Sequence, residues 1–397
     1  MAASHPILIA GAGIGGLTTA LALAQAGFDV AVIEQAERLE EAGAGIQLSP
    51  NATHILINLG LHDALMETIV APREVRVMTA RSAKPIARVP LGDTAAERYD
   101  SPYWVIHRAD LQNTLFAAAS TYSNIEFKLN SRIETLGARG DEIAVASRHN
   151  GIIFETRGCA LIGADGLWST VRARLGDETQ PVFARRTAWR ALVPAEYLPE
   201  RYSEPVVHLW LGRNVHLVHY PVRGGRAINI VMIVHDLNER NGWTSAGQPA
   251  DLIETLPDIR WAPEARTIFE APKRWQTWSL FDRPVQQLEM SGPVTLLGDA
   301  AHPMVPFLAQ GAAMAMEDAV VLADQLVQHQ DDIPHAMRTY ESLRQARTAR
   351  VQTAARKQGR IYQMAGPGAF ARNTVMRALS GRRMLTRQDW LYRWTPD

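Results

Sequence analysis

A glycine-rich turn near the N-terminus constrains the fold of this chain more than any other feature. Residues 11–16 read Gly-Ala-Gly-Ile-Gly-Gly and follow a short apolar run at residues 7–10. The spacing Gly-x-Gly-x-x-Gly is satisfied by Gly11, Gly13 and Gly16, with Gly15 between them. Helix formers come next, and a second apolar run lies at residues 30–33. The pattern predicts a strand–turn–helix–strand unit that opens an α/β fold. A further helix is predicted from about residue 51 to 67.

The chemistry of such a turn is specific. Its first glycine permits a tight bend, its second lets a pyrophosphate approach the backbone, and its third lets helix and strand pack closely. The phosphates then lie at the helix N-terminus, where free N–H groups favour anions. Glu34 ends the second strand 18 residues after Gly16 and can hold both hydroxyls of an adenosine ribose. That favours FAD or NAD over NADP, and the turn alone does not choose between the two.

Composition excludes several classes of partner. The 397 residues carry 41 Lys and Arg against 41 Asp and Glu, so no net charge indicates nucleic acid. The single cysteine, Cys159, cannot form an internal disulfide or a cysteine zinc site and suits a reducing compartment. The histidines show no metal-ligand spacing, and glycines interrupt the N-terminal apolar stretch. We expect a cytoplasmic protein with no metal, no membrane span and no nucleic-acid partner.

The middle of the chain changes character. From about residue 186 to 234 apolar and polar residues alternate, and Gly-Arg-Asn at 212–214 is typical of a hairpin loop. A buried strand is predicted again at 294–297, followed by a long helix from 311 to about 329. The chain from 336 onward is mainly helical. Its 11 Arg and one Lys between Arg344 and Arg393, against one acid, indicate either a solvated helical face or the contact of a homodimer.

Two further motifs accompany the glycine turn. Residues 163–172 read Gly-Ala-Asp-Gly-Leu-Trp-Ser-Thr-Val-Arg, and residues 298–311 read Gly-Asp-Ala-Ala-His-Pro-Met-Val-Pro-Phe-Leu-Ala-Gln-Gly. In this order the three motifs make the chain, from about residue 7 to 350, resemble the group A FAD-dependent aromatic hydroxylases, the para-hydroxybenzoate hydroxylase superfamily. Within it the chain is most similar to the branch of salicylate hydroxylase, 3-hydroxybenzoate 6-hydroxylase and 6-hydroxynicotinate 3-monooxygenase.

The resemblance implies the domain organisation. We expect an α/β protein with a discontinuous, Rossmann-like FAD-binding domain at residues 1–179 and 281–335. A mostly β substrate domain would occupy residues 180–280, and a helical segment would follow at 336–397. Only one dinucleotide fingerprint is present, so NADH or NADPH is expected to bind transiently as electron donor, with O2 as co-substrate.

The resemblance also assigns cofactor contacts. Asp165 and Gly166 are expected at the FAD pyrophosphate and the incoming nicotinamide. Gly298 and Asp299 are expected at the ribityl and ribose groups, and Arg108, in a His-Arg-x-x-Leu segment, at the flavin phosphates. An N-cap aspartate and a surface salt bridge are the alternatives for Asp299 and Arg108.

Three further residues are expected near the flavin ring. Gly311 and Ala312 begin the long helix, whose positive end would face the flavin pyrimidine. Gln47 matches a loop beside the isoalloxazine, where 6-hydroxynicotinate enzymes tend to have histidine. That difference counts against their substrate here.

The expected reaction proceeds through a flavin 4a-hydroperoxide and needs a dry pocket, a substrate anchor and a group that moves a phenol proton. In a strand over 215–222, His216 and Tyr220 share one face, and His219 faces the other way. The resemblance places the first two at the substrate; the alternative is a decorated sheet. His302 and Gln310 are expected at the substrate or the oxygen pocket, unless they only hold the surrounding loop.

The anchor of a carboxylate would be an arginine, and Arg190 and Arg223 both lie in the β section. Trp275 and Trp278 are expected to be packing residues. Our first hypothesis is hydroxylation of a small aromatic acid, salicylate 1-hydroxylation in particular. The alternatives are 3-hydroxybenzoate 6-hydroxylation and 6-hydroxynicotinate 3-hydroxylation. Two hypotheses of another class are a flavin dehydrogenase or oxidase without oxygen insertion and a flavin-bound sensor or carrier.

Overall fold

The fold was analysed in a computed structural model that describes residues 5–39, 44–139, 142–239, 245–256, 260–284 and 292–396. It is a mixed α/β structure, as the sequence predicts. None of the helices in these ranges is both long enough and apolar enough to cross a lipid bilayer.

The strands in the described part of the chain form four sheets. In chain order they are β1 (Ile7–Ala10), β2 (Val30–Ile33), β3 (Gly45–Leu48), β4 (Glu74–Thr79), β5 (Pro85–Pro90), β6 (Trp104–His107), β7 (Ile125–Lys128), β8 (Arg132–Arg139), β9 (Glu142–His149), β10 (Ile152–Gly158), β11 (Ala160–Gly163), β12 (Val182–Pro194), β13 (Val206–Gly212), β14 (Val215–Val222), β15 (Ala227–His235), β16 (Ser245–Gly247), β17 (Trp275–Asp282) and β18 (Val294–Leu296).

The helices lie mostly in the first and last thirds of the chain. They are α1 (Ile14–Gln25), α2 (Pro50–Asn58), α3 (His62–Leu65), α4 (Gly92–Tyr99), α5 (Arg108–Ala119), α6 (Thr170–Arg174), α7 (Pro249–Thr255), α8 (Pro263–Glu270), α9 (Gly311–Gln328), α10 (Ile333–Tyr362), α11 (Gly366–Ala378), α12 (Gly381–Thr386) and α13 (Asp389–Tyr392). Short 3-10 turns occupy Ala195–Tyr197, Glu200–Tyr202, Gly298–Ala300 and Pro306–Leu308.

A parallel sheet in the order β18-β11-β1-β2-β7 forms the nucleotide-binding half. Its strands β1, β2 and β11 are buried along their whole length, which explains their continuous apolar sequences. One face packs on α1, α5 and α9. The other face packs on β9 of a three-stranded antiparallel sheet, β10-β9-β8. The predicted strands at 7–10 and 30–33 and the helix between them are confirmed.

An eight-stranded sheet in the order β16-β17-β12-β15-β14-β13-β4-β5 forms the second half. Neighbours run antiparallel except β13 and β4. The predicted hairpin joins β13 to β14, and Asn214 in its turn has a φ of +54°. Helices α7 and α8 cover one face of this sheet, and the other face meets Phe307 and α10. The sheet therefore lies between its own helices and the nucleotide-binding half.

Two local features differ from the sequence expectations. The large sheet also contains β4 and β5, which come from residues assigned to the first part of the FAD-binding domain. The expected domain boundaries were drawn from chain order, and they stay a prediction. The helix expected from about residue 51 to 67 is two helices, α2 and α3, because Gly60 adopts a φ of +79° between them.

Candidate active site

The glycine turn has the backbone geometry that its sequence predicts. Gly11 has a φ of +101°, which only glycine adopts readily. A Cβ on Gly16 would lie 2.0 Å from the carbonyl oxygen of Gly11, so α1 packs directly on the turn. No atom beyond its chain neighbours lies within 4 Å of a Cβ placed on Gly13. The start of α1 is thus open to a ligand at the one glycine where a pyrophosphate is expected.

Glu34 and Arg108 flank this turn. The Glu34 carboxylate accepts hydrogen bonds from the N–H groups of Ala12, at 2.7 Å, and Ala36, at 2.8 Å. These contacts fix it above the turn with lone pairs still free for ribose hydroxyls. Burial raises the pKa of the Asp299 carboxyl, and Arg108, which begins α5, lies close enough to oppose that rise. The predicted contacts of Glu34 with the ribose and of Arg108 with the flavin phosphates stay predictions.

Asp165 organises its own loop. It accepts hydrogen bonds from the Ser169 hydroxyl at 2.5 Å and from the N–H of Thr170 at 2.7 Å. Burial raises the pKa of Asp165, and these hydrogen bonds oppose that rise. Gly166 follows with a φ of +75° and open space at its Cβ position. Asp165 thus holds the loop, and Gly166 is the residue of the pair with space for a ligand; their contacts to FAD stay a prediction.

The third motif begins where β18 ends. Gly298 has a φ of +59°, and its N–H donates to the Asp318 carboxylate at 3.0 Å. The next residue, Asp299, retains solvent-accessible surface, yet burial raises the pKa of its carboxyl. Its Oδ1 lies 3.9 Å from a Cβ placed on Gly311. Asp299 therefore lies beside the N-terminus of α9, which Gly311 and Ala312 begin.

These features meet at one edge of the parallel sheet. Gly11 follows β1, Glu34 follows β2, Asp165 lies two residues after β11, and Gly298 lies two residues after β18. Because the strands are parallel neighbours, their carboxyl ends share that edge, where open α/β sheets bind ligands. The residues present therefore fit a dinucleotide, which the turn at Gly13, Glu34 and Asp299 would hold at this edge.

The large sheet presents His216 to this edge. The His216 ring lies 5.6 Å from Phe307 and 5.4 Å from Tyr362, centroid to centroid. Burial, with Arg186 nearby, lowers the pKa of His216 to about 3, and its Nδ1 has no hydrogen-bond partner among the described residues. His219 faces away, as predicted, and stacks on His208 at 4.4 Å. The face of β14 that carries His216 is thus the one turned toward the nucleotide-binding half.

Tyr220 lies on the same face and is connected to β3. Its hydroxyl hydrogen bonds to Gln47, and burial raises its pKa well above the usual value. The Gln47 amide oxygen also accepts a hydrogen bond of 2.7 Å from the Tyr103 hydroxyl. The N–H of Gly45 donates to Asn229 at 2.7 Å, which seats β3 on the sheet. Sequence reasoning missed Tyr103, although it immediately precedes β6, the partner strand of β3.

Arg190, one of the two candidate arginines, lies on β12. It pairs in register with Val231, which pairs with Val218, so it shares the face of His216. Its guanidinium lies 4.6 Å from the ring centre of Trp278, and its Nε has no partner among the described residues. Burial, with Arg108 nearby, lowers the pKa of Arg190 to about 10, so it stays charged at neutral pH.

Arg223, the other candidate arginine, and Trp278 each contact a charged partner within the protein. Arg223 lies 3.6 Å from the Asp110 carboxylate, so its charge already has a counterion. Trp278 was expected to be a packing residue, and the structure places it under the guanidinium of Arg190. That contact follows from the pairing of β12 with β17, which no sequence spacing reveals.

His302 and Gln310 are held by the protein. Nε2 of His302 lies 2.6 Å from the Asp318 carboxylate, while its Nδ1 has no partner among the described residues. Gln310 donates to the Ser49 hydroxyl at 2.8 Å and accepts from the Asn51 amide at 3.2 Å. These contacts favour a positioning role for both side chains. The predicted contact of either residue with the substrate stays a prediction.

Comparison with known proteins agrees with this geometry. The FAD binding domain family matches residues 4–355. A 3-hydroxybenzoate 6-hydroxylase of Polaromonas naphthalenivorans (strain CJ2) is 37% identical over 99% of this chain and 96% of its own. The chain belongs to the group A FAD-dependent aromatic hydroxylases. A 3-amino-4-hydroxybenzoate 2-monooxygenase of Streptomyces cremeus is also 37% identical, over 97% of this chain and 94% of its own.

Solved structures of the family share the whole fold. Klebsiella pneumoniae HpxO complexed with FAD and uric acid has a TM-score of 0.84 and 27% identity, covering 96% of this chain and 95% of its own. A salicylate hydroxylase substrate complex has a TM-score of 0.82 at 22% identity, covering 100% and 97%, a likeness of fold. The chain is accordingly an FAD-dependent aromatic hydroxylase, with NADH or NADPH as electron donor and O2 as co-substrate.

Replacing Asp299 with Ala should weaken FAD retention, because the variant lacks the carboxylate that is predicted to accept hydrogen bonds from FAD hydroxyls. Loss of one hydrogen bond to a charged group predicts a rise in the dissociation constant of about 10- to 100-fold. Titration of the apoprotein with FAD, followed by flavin fluorescence, measures it. Asp324→Ala, which removes an exposed carboxylate of α9, is the control. Equal FAD affinity in the two variants would contradict the predicted contact.

Proposed function

We propose that this chain hydroxylates a hydroxybenzoate, with salicylate 1-hydroxylation and 3-hydroxybenzoate 6-hydroxylation as hypotheses of equal weight. The 37% identical relative named as a 3-hydroxybenzoate 6-hydroxylase supports the second. The fold shared with the salicylate hydroxylase complex is compatible with the first. The 6-hydroxynicotinate reaction stays an alternative, and Gln47 still counts against it.

One observation supports an aromatic carboxylic acid as the substrate class. Arg190 places a positive charge, with its Nε free of protein partners, on the sheet face that carries His216 and Tyr220. Burying an unpaired cation is unfavourable, so the arrangement favours an anion beside it. Arg190 and Val218 lie two strands apart, roughly 10 Å at ordinary strand spacing. A benzoate carboxylate at Arg190 would therefore direct its ring toward His216 and Tyr220.

The side chains around the ring divide the remaining work. FAD supplies the oxidising chemistry when it is bound, and the protein binds, orients and desolvates the acid. Phe307 and Tyr362 form an apolar wall beside His216, which excludes water. His216 is neutral in the protein, so its free Nδ1 can accept a hydrogen bond from the phenol. An anion nearby raises the pKa of an imidazole, and His216 can then take the phenol proton.

The surroundings of the reaction complete the proposal. The proposal keeps the expected FAD-binding part at residues 1–179 and 281–335, substrate part at 180–280 and helical segment at 336–397, with β4 and β5 of the first part joining the large sheet. The protein acts in the cytoplasm, where its lone cysteine stays reduced. The Arg-rich C-terminal surface supports assembly as a homodimer. The choice between NADH and NADPH is left to measurement.

A substrate panel tests the proposal directly. FAD-loaded protein is mixed with NADH or NADPH and with salicylate, 3-hydroxybenzoate, 6-hydroxynicotinate or anthranilate, and nucleotide oxidation, product and hydrogen peroxide are measured together. We expect one hydroxybenzoate to accelerate oxidation and to appear hydroxylated with little peroxide. Catechol would identify salicylate as the substrate, and 2,5-dihydroxybenzoate would identify 3-hydroxybenzoate. Peroxide alone with every compound would count against hydroxybenzoates.

Replacing Arg190 with Met should raise KM for the acid by about 10- to 100-fold, because a charge-assisted contact to the carboxylate is lost. Arg190→Lys should keep part of the affinity, and Arg223→Met is the control. Binding is measured independently from the flavin absorbance change on titration with substrate and with phenol, which lacks the carboxylate. If Arg190→Met weakens phenol as much as the acid, the residue does not anchor a carboxylate.

Replacing His216 with Phe should slow product formation by about 100-fold, the range expected for a lost acid–base group, while FAD stays bound. His219→Phe is a matched control, because it changes the same residue type on the same strand but on the opposite face. Product per nucleotide oxidised is the decisive ratio. An unchanged ratio in His216→Phe would show that the histidine only packs against Phe307 and Tyr362.

A further inference from the structure

The C-terminal segment is tied to two buried carboxylates of α9. Glu317 and Asp318 are both fully buried. Arg344 lies 2.8 Å from Glu317 and 2.6 Å from Asp318, and Arg347 forms two bonds to Glu317, at 2.5 and 2.6 Å. Both arginines project from α10. Part of the Arg-rich segment is therefore directed into the protein rather than toward solvent.

Hydrogen bonds between side chains connect Glu317 to the active site. The Asn51 amide nitrogen donates to Glu317 at 2.7 Å and to Gln310 at 3.2 Å. An amide nitrogen has two hydrogens, so both are used and the orientation of the Asn51 amide is fixed. The Gln310 nitrogen then donates to the Ser49 hydroxyl at 2.8 Å, and that hydroxyl donates to the Asn51 oxygen at 2.6 Å. Asn51, Gln310 and Ser49 thus form a closed ring of hydrogen bonds, and all three side chains are buried.

Both ends of the ring belong to segments that form the site. Ser49 directly follows β3, which carries Gln47, and Gln310 directly precedes α9 and Gly311. Gln310 also lies three residues after Phe307, which contacts His216. The ring thus joins the loop expected beside the flavin to the helix N-terminus expected at its other side.

The end of the chain holds Arg347 in place. Its guanidinium donates to the carbonyl oxygens of Trp390 at 3.1 Å and Leu391 at 3.0 Å. It also lies 5.5 Å from the ring centre of Trp394, within cation–π range. Leu391 is buried beside Met314 of α9. The two carbonyl contacts use two of the three N–H donors of Arg347 that do not reach Glu317.

We propose that Arg347, held by the C-terminal turn at residues 390–394, is a positioning residue for the active site. It acts through Glu317 and Asn51, and it fixes the relative placement of the Gln47 loop and the Gln310–Gly311 helix start. The physical basis is the orientation of Asn51. Arg344 and Arg347 together hold the Glu317 carboxylate in place as the acceptor of the hydrogen bond from the Asn51 amide. Without Arg347, Glu317 keeps Arg344 as its ion-pair partner. The orientation of the Asn51 amide, and with it the ring of hydrogen bonds, is then no longer fixed.

Hydrogen exchange tests this without any substrate. Arg347→Met is compared with Arg350→Met. Arg350 is an exposed arginine of the same helix, α10, and its guanidinium lies 4.2 Å from the ring centre of Trp390. We expect faster amide exchange in peptides covering 45–51 and 306–312 of FAD-loaded Arg347→Met, with no change in Arg350→Met. Arg347→Lys should restore part of the protection. Unchanged exchange in both peptides of Arg347→Met would overturn the proposal.

The coupling ratio, product per nucleotide oxidised, gives a second readout, which rests on the proposed function. We expect Arg347→Met to release more peroxide, at least twofold, at equal FAD content. A loss of folded protein alone would leave the ratio unchanged and would count against positioning. Asn51→Ala should uncouple similarly, and the double variant should add little to either single change. Additive effects would show that Arg347 does not act through Asn51. If no acid is hydroxylated, the proposed function fails and the exchange result still decides the positioning role.

Discussion

Two adjacent carboxylates inside the protein, Glu317 and Asp318, determine much of the arrangement around them. An uncompensated buried carboxylate is unfavourable by several kcal/mol, so partners must be brought to both. Arg344 supplies one to each, and His302 completes Asp318. Burial would raise the pKa of Asp318, but His302 and Arg344 hold it at about 2. Because these partners lie on α10 and on the loop after β18, charge compensation sets how both pack on α9.

The second constraint is the junction between the two sheets. The parallel sheet brings the ends of its strands to one edge, and the large sheet meets that edge with an apolar face. Few polar groups interrupt this face, and several of them, such as Arg190 Nε and His216 Nδ1, have no partner among the described residues. Polar groups held in place without a protein partner are typical of ligand sites. The protein thus retains unsatisfied groups where a ligand can satisfy them.

The nucleotide-binding half was largely predictable from sequence because its determinants are local. The turn at Gly11, the carboxylate of Glu34 and the strand before Gly298 each follow from spacing within one segment. The strand alternation also separated His216 from His219 correctly. The position of Arg190 on the face of His216 could not be predicted, because it depends on the register of β12, β15 and β14. Tyr103 was missed, and the contact of Trp278 with Arg190 was not foreseen, because both depend on strand pairing between distant parts of the chain.

The remaining sequence expectations fail or stay open for a related reason. The sequence does not reveal that β4 and β5 belong to the large sheet, because β4 pairs with β13, which lies more than a hundred residues further along the chain. Gln310 was expected to touch the substrate because its motif lies beside the flavin in relatives. In the structure its amide is occupied by Ser49 and Asn51, which lie far away in sequence. A motif therefore identifies the neighbourhood of a residue more securely than the atoms that it contacts.

The charges on the proposed substrate face have a consequence for the reaction. Arg190 contributes one positive charge, while burial keeps His216 and Tyr220 neutral. That balance suits a benzoate monoanion with its phenol still protonated. Loss of the phenol proton to bulk solvent would leave a second negative charge beside a neutral His216, whereas transfer of that proton to His216 pairs the phenolate with an imidazolium. In the proposed function, electrostatics thus favour binding of the protonated phenol and couple its activation to a proton transfer within the pocket.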